Sequence, residues 1–182
     1  MWATVTWASV RAGGLTAYIL LSLSVILGMA LSMQWQSPSR WPRLINNELH
    51  NYITLLASIF LGLHILAAWA DPFTTFGLNE ILIPFASHYR PIWMALGIVA
   101  FYLGIAIGLS TWLRPTIGYK AWRYLHYSTL GIYVLATIHG IFTGTDTTPW
   151  GLILYGVSII AVSGVFARRV WTATRITQPR TA

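Results

Sequence analysis

Hydrophobic positions in this chain do not alternate with polar ones; they come in long unbroken blocks. Five blocks stand out, at about 14–33, 53–70, 92–112, 124–142 and 152–170. Each holds roughly 20 residues, which at about 1.5 Å of rise per residue covers the ~30 Å hydrocarbon core of a bilayer. A backbone inside that core must close its own hydrogen bonds. A block without period-two alternation does so as a helix, not as a barrel strand. The pattern predicts an all-α integral membrane bundle of five transmembrane helices. It forms a single domain over residues 1–182, with a polar tail at 171–182. The first block ends at Ala30-Leu31-Ser32, which looks like a cleavage site, but its apolar stretch is too long for a signal peptide. It is read as a span.

The flanks of the blocks agree. Trp35, Trp41, Trp69, Trp93, Trp112, Trp122, Trp150 and Trp171 sit at or near their ends, as an interfacial aromatic belt does. Basic residues gather on one side of the alternating topology: Arg40, Arg43, Arg114, Lys120, Arg123, Arg168, Arg169, Arg175 and Arg180. The other side holds Arg11 and Arg90 with Asp71, Glu80 and Asp146. The basic side is expected to be cytoplasmic, which puts the N-terminus outside and the C-terminus inside. A bacterial cell membrane is the expected location.

Composition narrows the function classes. The chain is 56% hydrophobic and only 8% charged. A net charge of +7 would suit nucleic-acid binding in a soluble protein. Here topology accounts for it, and no nucleic-acid partner is expected. There are no cysteines. Disulfides, iron–sulfur clusters, thiolate-ligated haem and cysteine nucleophiles are therefore excluded. Most connections are short. The exception, Asp71 to Pro91, is half apolar (Phe73, Phe76, Ile81, Leu82, Ile83, Phe85). A loop of that length is usually functional or forms a cap, and a short interfacial helix is expected within it.

The chemistry lies in four histidines carried by the second and fourth blocks or their edges: His50 and His64, then His126 and His139. An ionisable side chain in a span is costly and marks function by default. With one span between them, the two helices run in the same direction. His50 and His126 then lie near the inner face, and His64 and His139 nearer the outer. One ring from each helix can grip the same iron from opposite sides, giving His50–Fe–His126 and His64–Fe–His139. Fourteen residues rise about 21 Å in nearly four full turns, so His50 and His64 share a face. Thirteen residues leave His139 about 140° away from His126 at ~100° per residue. Span four therefore needs a local bulge, a rotation or a ligand reaching round the helix. Two haems stacked at two depths would divide the membrane into short electron hops.

The surrounding residues leave room. Thr54 and Ala57 lie on the face of His50 and His64, span four has Gly131 and Ala136, and span three has Gly97, Gly104 and Gly108. That glycine stripe suits close approach of a porphyrin or plain helix packing. Haem propionates need cations. Arg123, three residues before His126, suits the inner haem, and Arg11 and Arg90 are available for the outer one. Arg114 and Lys120 are read as topology charges. A proton relay would want intramembrane carboxylates, and the nearest, Glu48, lies at the edge. Zinc or copper would want ligands clustered at one depth. His88, in the loop, is read as a surface residue, with a role at the acceptor site as the alternative.

With these residues in place, the chain resembles the ferric reductase-like transmembrane family. That family includes the membrane halves of NADPH oxidases and ferric reductases, and a bacterial haem subunit serving methionine sulfoxide reductase. The resemblance rests on Arg11-Ala12-Gly13-Gly14, the 14- and 13-residue histidine intervals, Arg123-Tyr124-Leu125-His126 and His139-Gly140. It covers about residues 10 to 170. It implies two haem b groups and electron transfer from the cytoplasmic side outward. Two departures matter: five spans where many relatives have six, and no flavin or nicotinamide domain after the last span. The donor is then expected to be another redox protein or a membrane quinol, and the acceptor extracytoplasmic. The expected role is a subunit of a larger redox system. A stand-alone reductase of ferric chelates, flavin or oxygen, and a quinol-oxidising cytochrome b, are the alternatives.

Overall fold

The computed structural model describes residues 2–33, 43–144 and 149–176, with the side chains of 4–33, 45–144 and 149–174. Trp35, Arg40, Trp41, Asp146 and Arg180 lie outside these residues, as do the side chains of Arg43 and Arg175. All regular structure among the described residues is helical. The elements are α1 (Trp2–Ser32), α2 (Arg43–Ala70), α3 (Leu78–Leu82), α4 (Pro91–Trp112), α5 (Arg114–Ile117), α6 (Tyr119–Tyr127), α7 (Thr129–Thr143) and α8 (Pro149–Ile176). Five stretches are long and apolar enough to cross a bilayer: Thr4–Ser32, Ile45–Ala70, Pro91–Trp112, Tyr119–Thr143 and Pro149–Thr174. The chain is an integral membrane protein.

The helices outrun the apolar blocks. α1 begins well before Gly14, and α8 continues past Val170. Backbone hydrogen bonding does not stop where side chains turn polar, so a membrane helix extends into the interface. Proline opens α4 and α8, where its missing N–H would have had no intrahelical partner anyway. Gly118, at φ 82°, separates α5 from α6 in a conformation that costs glycine little.

α1 is the hub. It lies along α2 and also packs on α7 and α8, while α4 packs on α7. The buried centre joins Tyr18, Val25 and Met29 of α1 to Tyr133 of α7 and Val162 of α8. Lipid gives helices no hydrophobic reason to associate, so polar ties and close packing hold the bundle. Here the tie is a cluster of hydroxyls. Tyr18 Oη lies 3.3 Å from Tyr133 Oη and 3.1 Å from both Thr137 Oγ1 and Ser158 Oγ. Ser158 Oγ also meets Tyr133 Oη at 2.8 Å and donates to Ser22 Oγ at 2.9 Å. Outward-facing Trp112, Trp150 and Ile160 are 75% exposed or more. In a protein whose solvent is lipid, that is where apolar side chains belong.

The Asp71–Arg90 connection is a structured cap containing α3. Asp71 is almost fully buried, accepts from Thr6 Oγ1 at 2.7 Å, and holds the next turn through Thr74 N and Oγ1, both at 3.1 Å. Glu80 accepts from the amides of Gly77 at 3.0 Å and His88 at 2.9 Å. Tyr102 Oη donates to Leu82 O at 2.7 Å, fastening the cap to α4. Thr75, Phe85 and Arg90, all within or closing this cap, have positive φ. Such backbone strain persists only where surrounding bonds hold it in place.

Candidate functional site

α2 rests on α1 and does not pack along α6 or α7. It meets them through histidine rings. His50 and His126 have ring centroids 6.2 Å apart with planes at 72°; His64 and His139 are 6.5 Å apart at 83°. The four residues form two tiers of one pair each.

Three of the rings are fixed by a common device. His64 Nδ1–H donates to Val10 O at 2.8 Å, His50 Nδ1–H to Ser24 O at 3.0 Å, and His139 Nδ1–H to Trp93 O at 2.9 Å. A carbonyl accepts only, so each bond sets the tautomer and leaves the Nε2 lone pair free to bind a metal. Each accepting carbonyl is followed four residues later by glycine: Gly14, Gly28 and Gly97. That is the position from which a serine or threonine side chain would bond back to the same carbonyl. With no side chain there, the imidazole of a neighbouring helix takes the space. A Cβ would lie 2.9 Å from His64 Nδ1 at Gly14, 3.3 Å from His50 Cε1 at Gly28, and 2.6 Å from His139 Nδ1 at Gly97. His126 differs: its Nδ1 is buried with no hydrogen-bond partner among the described residues. Its ring instead stacks on Trp122, centroids 4.9 Å apart at 30°.

The thirteen-residue interval is accommodated by a break. α6 ends at Tyr127 and α7 begins at Thr129. Ser128 N and Oγ both bond to Leu125 O, at 3.0 and 2.6 Å, and Thr129 Oγ1 bonds to His126 O at 2.8 Å. Such back-bonding bends helices. An i→i+3 turn advances about 120° per residue instead of ~100°, recovering roughly 60° of the ~140° shortfall. The break lets His126 turn towards His50 while Tyr133 and Thr137, further along, face α1 and α8.

The residues fit a planar group that needs two axial ligands. Two imidazole nitrogens at about 2.0–2.1 Å from one metal put the ring centroids roughly 6.3 Å apart, between the two spacings found here. Among the described residues no group of three or more His, Cys, Asp or Glu could hold a metal ion by itself. Each pair would therefore complete a coordination sphere supplied largely by the cofactor, as a porphyrin does.

The three arginines lie at the expected ends but engage their own chain. Arg123 Nε donates to Tyr127 Oη at 2.6 Å. Arg11 stacks 4.1 Å over Trp7, one turn from the Val10 carbonyl. Arg90 donates to Phe142 O and lies over Tyr89. His88 is exposed and contacts Glu80 and Phe76, apart from either tier. Of the glycine stripe, only Gly97 meets a side chain; a Cβ at Gly104, Gly108 or Gly131 would find nothing within 4 Å. The residues that sequence reasoning missed as ring seats are Gly28 and, in that role, Gly14 and Gly97. The signal was the carbonyl–glycine interval of four, which means nothing until the opposing histidine is placed.

A family model described as ferric reductase like transmembrane component matches residues 13–137, more than half of the chain. No curated protein and no solved structure matches it at a significant level. Members of this family generally bind haem and serve transmembrane electron transfer. The chain belongs to the ferric reductase-like transmembrane family.

Proposed function

We propose that the chain is a dihaem cytochrome b that carries single electrons across the membrane. His50 and His126 would hold the inner haem and His64 and His139 the outer one. The observation that carries this reading is the pairing of four histidines at 6.2 and 6.5 Å, two from α2 and one each from α6 and α7, helices along which α2 does not otherwise pack. When bound, haem supplies the one-electron chemistry; the protein orients it, excludes water and sets its potential through ligand and burial. Val10, Ser24 and Trp93 carbonyls would make their histidines stronger donors.

Arg114, Lys120, Arg123, Arg168 and Arg169 belong to the end that holds His50 and His126. Arg169 lies 5.1 Å from the Tyr127 ring. The positive-inside bias supports making that end cytoplasmic. Electrons would then enter from a cytoplasmic redox protein or membrane quinol and leave to an extracytoplasmic acceptor. Arg90 is tied to Phe142 O instead of standing free for an acceptor, which favours a subunit that feeds a partner over a stand-alone reductase.

The test is haem content. Purified protein should show a dithionite-reduced haem b spectrum with two haems per chain; one or none would overturn the pairing. His64→Ala should lose the outer haem and keep the inner. Retention of both would refute the assignment.

A further inference from the structure

The two tiers are not equivalent. In the tier of His64 and His139, both rings are anchored to carbonyls, at 2.8 and 2.9 Å. In the other tier, His50 is anchored but His126 is not: its Nδ1 is buried and has no partner among the described residues. Nothing polar holds that ring in register. The glycine seat is missing as well, because His126 faces the indole of Trp122 and not a helix carbonyl. His126 also sits two residues before Ser128, at which α6 gives way to α7.

We propose that the His126 side of the inner tier is an exchangeable coordination position, open to a neutral diatomic ligand when the haem is reduced, while the outer tier stays closed. The inference rests on the dihaem reading above. Loss of a second partner behind a metal-bound ligand typically costs 10–100-fold in metal affinity. His126 lacks that partner from the start, so of the four histidines it would hold a haem iron least firmly. The exchange is balanced without redox chemistry. The bond from iron to Nε2 opens, a bond from iron to the incoming ligand forms, and the imidazole leaves neutral with its proton count unchanged. Trp122 is itself held, through Nε1–H to Thr111 Oγ1 at 3.0 Å and by Arg114 above its ring, so its stack is the contact that steadies His126 in place of a hydrogen bond.

The experiment is a carbon monoxide titration of purified, haem-loaded, dithionite-reduced protein, followed by the Soret band. The expected result is one carbon monoxide per two haems; none or two would overturn the proposal. Protein without haem would overturn the dihaem reading instead. His126→Ala then assigns the site. A single, tighter carbon monoxide, or loss of one haem with no carbon monoxide uptake by the other, supports the proposal. Two carbon monoxides per chain, or uptake by a lone surviving haem, overturns it. Should that variant not fold, Trp122→Ala removes the stacking contact and should tighten carbon monoxide binding about 2- to 10-fold; unchanged affinity would overturn it.

Discussion

Gly97→Ala is the sharpest probe of the site, because a single methyl group is set against the His139 ring. The new Cβ would sit 2.6 Å from His139 Nδ1, 2.7 Å from Cε1 and 2.9 Å from Cγ. The ring must swing away, and in doing so it loses the 2.9 Å bond to Trp93 O. That bond is worth about 0.5–1.5 kcal/mol, and leaving its buried donor unsatisfied costs roughly 1–3 kcal/mol. At the metal, loss of such a partner lowers affinity about 10–100-fold. A less basic imidazole also stabilises the oxidised state less, so the potential of that haem should rise. Haem-to-protein ratio and a redox titration of the purified variant read both effects. The outer haem should be depleted or shifted upward, with the inner one unchanged. Unaltered content and unaltered potentials in both haems would refute the idea that Gly97 exists to seat His139.

The other seats should rank by clearance. Gly14→Ala, at 2.9 Å from His64 Nδ1, should weaken haem retention nearly as much, and Gly28→Ala, at 3.3 Å from His50 Cε1, least; the reverse order in haem content would sink the ranking. Tyr18→Phe removes a hydroxyl with three polar neighbours. At about 0.6 kcal/mol per interhelical bond in a membrane, it should cost roughly 1–2 kcal/mol in an unfolding titration while leaving the haem spectrum intact. The cap should be acid-sensitive. Amides of His88 and Gly77, with the His88 ring, hold Glu80 down from its usual 4.5 to about 2. A carboxylate depressed on folding stabilises fully above its unfolded value and loses that contribution as pH falls through its folded one. Hydrogen exchange at Gly77 and His88 should therefore quicken, after correction for intrinsic rates, as pH drops from about 4.5 towards 2. Glu80→Gln should already show the faster exchange at neutral pH.

The five long apolar helices, and the meeting of His50 with His126 and of His64 with His139, were legible in the residues alone. The break at Ser128 was legible only as a need. A thirteen-residue interval demanded some departure from regular winding, but Ser128 and Thr129 look like ordinary helix residues until their side chains are seen bonding back to Leu125 and His126. The propionate roles expected of Arg11, Arg90 and Arg123 depend on a group that the sequence cannot orient.

The glycines divide the two levels most clearly. Gly97, Gly104 and Gly108 form one stripe in the sequence, yet only the first touches a histidine. A bilayer imposes its length and its hydrogen-bonding rule on every stretch of chain independently, so the primary structure fixes how many helices form and where along each of them a histidine lies. Which carbonyl steadies which imidazole, and that His126 is steadied by none, depends on contacts between residues as far apart as Val10 and His64. Only the packing of one helix against another decides those.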